Sequence, residues 1–172
     1  MDVSRDGNRD REGRVIVGVD GSLGSLGALR QAVAEARQRG AQLCAVRVVS
    51  QELSWVGALC DDDLAILRQQ ILDAFQDALG EVPSDLETRS LPIVGAAGQA
   101  LVDFADREDD LLVVGAGERR GLHRWWHRSV SAYCVRHARC PVLCVPLPEF
   151  ARTMRRLRLP RRRVGVDDLL DA

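Results

Sequence analysis

Residues 111–130, LLVVGAGERRGLHRWWHRSV, carry the side-chain and backbone types best suited to gripping an anion. An apolar run ends in Gly115, Ala116 and Gly117, and Ser129 with Val130 opens a helical pattern beyond it. A glycine turn feeding a helix start gathers free backbone N–H groups at the positive end of a helix dipole, which is how proteins hold phosphate. Glu118 and Arg128 stand where such a cradle favours small, neutral residues. A second candidate, Asp20-Gly21-Ser22, closes the apolar run VIVGV at residues 15–19. Asp20 suits hydrogen bonds from ribose hydroxyls or a base amine, while amides near Gly115 and the Ser129 hydroxyl suit phosphate. The same Asp-Gly-Ser also makes an ordinary turn and helix cap.

The elements that must position these turns follow from hydrophobic period. After residues 15–19, Leu26, Leu29, Val33 and Ala36 recur at helical spacing until Gly40, a C-cap. Residues 43–49 (LCAVRVV) predict a second strand. Leu64, Leu67, Ile71, Phe75 and Ala78 predict a long amphipathic helix, led by Asp61, Asp62 and Asp63 at its dipole-positive end. A weaker third strand is expected near 86–91, then a glycine turn at 95–98 and a helix through Ala100, Leu101, Phe104 and Ala105. Short apolar strands at 111–114 and 142–145 flank the glycine turn and a helix from 129 to about 138. Strand and helix alternate throughout, so the expected fold class is α/β: a single doubly wound domain, its parallel strands joined by right-handed crossovers and covered by helices on both faces. Ligands of such sheets bind beyond the carboxyl ends of the strands where the strand order reverses, and the two turns would share one crevice if the first and fourth strands are neighbours.

Composition narrows the function classes. The 172 residues suit one domain. No run approaches the ~20 apolar residues of a membrane helix, and the polar start MDVSRDGNRDREG lacks the apolar centre of a secretion signal, so no transmembrane segment and a cytoplasmic location are expected. Every one of the 24 basic residues is Arg. The five cysteines (Cys44, Cys60, Cys134, Cys140, Cys144) show no C-x-x-C spacing and read as small buried hydrophobes rather than zinc ligands or disulfides. Cys60 beside Asp61, Asp62 and Asp63 is the one with a loop setting, where the carboxylates would raise its pKa. His123 and His127 stand four apart, but no third ligand lies nearby, and no metal is predicted. Trp125 and Trp126 suit a covered apolar patch near the crevice or at an interface, and His137 fits the inner or boundary face of the last helix. No Ser-His-Asp or Cys-His arrangement emerges, so no catalytic residue is assigned.

VGVDGS near the start, a second strand ending RVVS, and VVGAGERRGLHRWWHRSVSAYCVRHARCPVLCVP near the end together resemble the universal stress protein family. The likeness covers residues 14–146, leaving a polar N-terminal tail (1–13) and an Arg-rich C-terminal tail (147–172). It implies a five-stranded parallel sheet in the order 3-2-1-4-5, with the last strand, 142–145, pairing across a homodimer. It further implies adenine-nucleotide (ATP) binding, with Asp20 touching ribose or adenine and Val48 beside the base. The nucleotide-binding branch carries glycine, two residues, glycine, nine residues, glycine and then Ser or Thr. On this chain those positions hold Gly115, Glu118, Arg128 and Ser129, with Gly117 and Gly121 out of step. A glutamate ~4 Å from a phosphate charge would cost about 4 kcal/mol at an effective dielectric of 20, roughly three powers of ten in affinity. Arg128 works in either direction: it is able to grip phosphate or to fill the space a glycine would leave open. The expected site is therefore weakened or altered: Asp20, Val48, Gly115, Gly117, Arg128, Ser129 and Val130.

Charge is segregated along the chain. Residues 147–172 hold seven Arg against four acids, +3, while residues 1–146 hold 17 Arg against 21 acids, −4. Phe150, Met154 and Leu157 at helical spacing among arginines predict a short basic amphipathic helix. Its candidate partners are nucleic acid, an acidic protein or anionic lipid, set against a solvated or self-docking tail. Two functional classes follow: a non-enzymatic stress-response regulator working through an unknown protein partner, or an ATP-binding enzyme with slow hydrolysis or phosphate transfer. The absence of an evident general base, metal-binding carboxylate pair or phosphate-binding lysine favours the regulator.

Overall fold

The computed structural model describes residues 13–49, 61–116 and 129–147. Strands and helices alternate as β1 (Arg14–Gly18), α1 (Leu23–Arg39), β2 (Gln42–Val49), α2 (Asp61–Leu79), β3 (Thr88–Val94), α3 (Ala97–Phe104), β4 (Leu111–Gly115), α4 (Val130–His137) and β5 (Val142–Val145). The five strands form one parallel sheet in the order β3-β2-β1-β4-β5, as expected. Residues 1–12 and 148–172 of the tails, the 50–60 connection, Cys60, Gly117, Glu118, Arg128, Trp125, Trp126 and His123 with His127 lie outside the described residues.

The central strands are apolar on both faces because both faces are covered. Val15, Val17, Leu43, Ala45 and Val113 pack under α1 and α2 against Ala28, Leu29, Ile71 and Phe75. Ile16, Cys44, Val46, Leu112 and Val114 pack on the other face against Leu101 of α3 and Cys134 of α4. Each fully buried Leu, Ile or Phe in these layers contributes roughly 1.5–3 kcal/mol. The ends of α1 are set by its sequence. Ser22 caps the start, its hydroxyl accepting from the Ser25 amide at 3.2 Å, and Gly40 closes the end in the left-handed conformation at φ 61°.

β3 lies at 88–94, displaced from the expected 86–91, with Pro92 inside it. Proline lacks a ladder donor, but β3 is an edge strand whose outer side needs none. Two side chains also depart from expectation. His137 is exposed rather than on an inner or boundary face, its ring stacked on Tyr133 with centroids 4.1 Å apart and its Nδ1 2.9 Å from the Tyr133 carbonyl oxygen. Cys44, Cys134 and Cys140 are buried, whereas Cys144 on β5 is exposed; all four are free thiols.

The amino-terminal edge of the sheet is locked by the ion pairs of Arg14 with Asp110 and Asp106. Asp110, fully buried, accepts from Arg14 Nε at 2.9 Å and Nη2 at 2.6 Å, and from the Arg107 amide at 3.1 Å. Arg14 also donates to the Phe104 carbonyl at 3.2 Å and to Asp106 at 2.7 Å, and lies 5.1 Å from the Phe104 ring centroid. The Asp110 hydrogen bonds outweigh the desolvation of Arg14 and hold its guanidinium above its ordinary pKa.

Candidate functional site

The site is built where the strand order reverses, between β1 and its neighbour β4. Gly115 ends β4 so close to the first turn of α1 that a Cβ there would lie 2.5 Å from the Gly24 carbonyl carbon and oxygen and 3.0 Å from the Ser25 nitrogen. Gly24 in turn faces the Ala116 carbonyl, where a Cβ would stand at 3.3 Å. The turn after β1 and the end of β4 therefore touch through backbone, and the two strand ends open side by side at the carboxyl edge.

Local bonds shape the β1 turn. Val19 donates to the Val46 carbonyl at 2.8 Å, extending the β1–β2 ladder one residue past the strand. Gly21 takes φ 80°, a left-handed turn suited to glycine, and swings the chain into α1. Asp20 Oδ1 accepts from the Ser22 amide at 2.9 Å, while the Asp20 amide donates to Ser25 Oγ at 3.3 Å. Partial burial pushes the Asp20 carboxyl up, but bonds from Ser22 and Ser25 and the charge of Arg47 more than offset it. Asp20 sits below the usual carboxylate range. It is a fixed anion, an acceptor for hydroxyl or amine donors.

Beside Asp20 a cavity of about 180 Å³ is walled by Gly21, Arg47 and, from α2, Gln70, Asp73 and Asp77. That is below the 300–1,000 Å³ of typical ligand pockets and suits part of a ligand rather than a whole nucleotide. Arg47 Nη1 donates to the Val19 carbonyl at 3.4 Å. Its Nε is shielded from solvent and has no hydrogen-bond partner among the described residues.

The remaining residues singled out by sequence fall as follows. Ser129 is the N-cap of α4, yet its side chain makes no capping bond and its Oγ lies 2.8 Å from Ser131 Oγ. The amides of the first turn of α4 therefore lack the side-chain cap that Ser22 gives α1. Val130 beside it is 39% exposed. Val48 packs into the α3–α4 face, opposite in side-chain direction to Arg47 on the neighbouring position of β2. Sequence reasoning passed over Arg47, whose signal was a lone charge inside LCAVRVV, and Gly24, whose signal was a small residue in the first helical turn. Among the described residues, no group of three or more His, Cys, Asp or Glu is placed to hold a metal ion. None of the described helices is long and apolar enough to cross a membrane.

A parallel α/β domain with a polar crevice at the strand-order switch defines the class of nucleotide-type doubly wound folds. The universal stress protein family profile matches residues 13–146. Universal stress protein MJ0531 of Methanocaldococcus jannaschii is 28% identical over 142 residues, covering 79% of this chain and 83% of its own. A solved universal stress protein in complex with cAMP superposes with a TM-score of 0.61 at 29% identity, covering 79% of this chain and 98% of that one. Universal stress protein UspA from Lactobacillus plantarum shares the fold at 24% identity and a TM-score of 0.59, over 78% of this chain and 98% of its own. The chain belongs to the universal stress protein family.

Proposed function

We propose that this protein is a non-enzymatic, cytoplasmic stress-response regulator. In this reading it acts as a homodimer on a protein partner and admits an adenine nucleotide to the β1–β4 crevice with weakened or altered affinity. The observation that carries the reading is the backbone contact of Gly115 with Gly24, which sets the Asp20 turn against the end of β4. A relative sharing 29% identity is seen in complex with cAMP, which adds weight. Phosphate would lie toward Ser129 and the start of α4, which has no side-chain cap, with Gly117 and Arg128 contributing from the segment of sequence between β4 and α4. A single phosphate charge meets less repulsion from Glu118 than the triphosphate of ATP does, so a monophosphate is favoured. The dimer reading draws support from β5, which pairs with β4 alone among the described strands and leaves its other side open.

Calorimetric titration with ATP and with cAMP, on the wild type and Asp20→Ala, tests the nucleotide reading. Micromolar binding that weakens at least tenfold in the variant is expected. Binding by neither nucleotide, or binding indifferent to Asp20→Ala, would overturn it. ATP turnover would replace the regulator by an enzyme.

A further inference from the structure

The chain runs out of the described fold beside the crevice. Leu147, two residues past β5, holds its Cδ2 3.6 Å from the place a Cβ would take on Gly24, in the first turn of α1. Gly21, in the wall of the cavity beside Asp20, is three residues before Gly24 and so at most about 11 Å from it along the chain. An extended chain covers about 3.3 Å per residue, so Phe150 and Arg152 come within reach of the opposite wall, which is α2.

That wall belongs to an exposed stripe. Asp62, Ile66, Gln70, Asp73 and Asp77 stand three or four apart on α2 and share one side of it, and all five are exposed. Ile66 is 57% exposed, more than Leu72 or Leu79 on the same helix. Asp62, Asp73 and Asp77 make no ion pair among the described residues. The whole of α2 carries five aspartates against one arginine, Arg68. Its outer side is therefore acidic, with an aliphatic side chain set into it.

The segment that arrives beside this stripe has the complementary make-up. Residues 150–163 hold seven arginines and no acid, and Phe150, Met154 and Leu157 recur at helical spacing among them. We propose that residues 150–163 dock along the Asp62–Asp77 stripe of α2 in the same chain, apolar positions over Ile66 and arginines against the aspartates. Guanidinium groups suit the task because they pair with carboxylates through two donors and lie flat on apolar surface. Surface ion pairs are weak singly, but the short tether from Leu147 gives the segment a high effective concentration at α2. Nucleic acid or anionic lipid would leave the stripe uncovered, since its aspartates repel phosphate.

Limited trypsin digestion of the full chain tests the docking, because every basic residue is Arg and the segment is dense in cleavage sites. Cleavage after Arg152 and Arg158 is timed by mass spectrometry at low salt and at about 1 M salt, where surface pairs are screened. The proteins are the wild type, Asp73→Asn/Asp77→Asn, Arg155→Asp/Arg156→Asp, and the charge exchange Asp73→Arg/Asp77→Arg/Arg155→Asp/Arg156→Asp, each with a thermal melt. In the wild type cleavage should be about fivefold slower at low salt than at high, the worth of two surface ion pairs. Both double variants should lose that protection and the charge exchange should recover it. Protection indifferent to Asp73→Asn/Asp77→Asn would overturn the docking, as would an exchange that recovers nothing. Protection that grows with protein concentration would put the segment on a second copy and overturn it too. Should a variant of α2 fail to fold, Arg155→Asp/Arg156→Asp decides, since it leaves the helix untouched: protection kept there refutes the pairing.

Discussion

Replacing Gly115 with alanine would press one methyl group into the contact that holds the crevice together. The added Cβ would stand 2.5 Å from both the carbon and the oxygen of the Gly24 carbonyl, and 3.0 Å from the Ser25 nitrogen. Both neighbours are backbone in a buried helical turn, so no side chain can rotate out of the way. Relief needs β4 and α1 to separate by close to an ångström, and the expected loss is at the upper end of overpacking costs, about 3 kcal/mol. For a domain of this size that is roughly 10 °C in melting temperature. Two other glycines serve as internal controls because they fail for different reasons. Gly21→Ala meets nothing within 4 Å but must hold φ 80°, costing about 1–2 kcal/mol. Gly18→Ala meets the Leu101 Cδ1 at 3.0 Å, the far end of a side chain able to shift, and should cost about 1 kcal/mol. Urea and thermal unfolding of the three variants should rank Gly115→Ala as the least stable, then Gly21→Ala, then Gly18→Ala. A Gly115→Ala protein melting with the wild type would mean that β4 and α1 do not meet at that distance, and the shared crevice would lose its basis.

Arg14→Met leaves the Asp110 carboxylate buried beside a lost partner and should cost about 3–5 kcal/mol in urea unfolding, most of it recovered in Arg14→Met/Asp110→Leu; a double variant as unstable as the single one would refute the pairing. In a Cys60→Ser background, iodoacetamide should label exposed Cys144 first and Cys134 last, since burial above all, then the neighbouring Cys144 and Cys140, push the Cys134 thiol up to about 11; mass spectrometry of timed samples reads the order, and early Cys134 labelling contradicts it. The Pro141 and Val145 carbonyls accept from Leu112 and Ala116 of the β4 side, so by strand alternation the Cys144 amide faces the open edge. Cys144→Pro should then spare the β4–β5 ladder and shift the proposed dimer to monomer in sedimentation, and an unchanged dimer would move the interface away from β5.

The parts of this fold that were legible in the sequence are those whose causes are local. Apolar runs marked β1, β2, β4 and β5, that of β2 broken only by Arg47, and Ser22 and Gly40 bracketed α1 because capping depends on a few adjacent residues. β3 runs on through Pro92, a residue that argues against a strand only where both edges must pair, and edge position is a property of the whole sheet. Asp110 could not be told from Asp109 or Glu108 beside it, because its partner is 96 residues away. His137 was placed on the inner or boundary face of its helix, yet a ring stacked on Tyr133 one turn earlier is held at the surface without the core. Within the site, Asp20 and Gly115 were visible as turn residues after apolar runs. Arg47 was not, since its meaning lies in which acceptors it lacks, and that is known only once α2 is packed against β2.

The two ends of the sheet differ in how completely their polar groups are matched, and that difference separates stability from binding. At the amino edge Asp110 takes three hydrogen bonds and Arg14 is shared among Asp110, Asp106 and the Phe104 carbonyl, a network in which charge meets charge. At the carboxyl edge the shielded Arg47 Nε has no partner among the described residues, the α4 start has no side-chain cap, and Asp20 is held ionised. Unmatched buried groups lower stability, so a fold that closes one end fully and leaves the other unmet gains only if something else completes the open end. The division implies that ligand affinity and unfolding free energy respond to separate sets of residues. Substitution at Arg14 should move the unfolding midpoint with the affinity of the folded protein unchanged, and substitution at Asp20 should move affinity by more than it moves the midpoint.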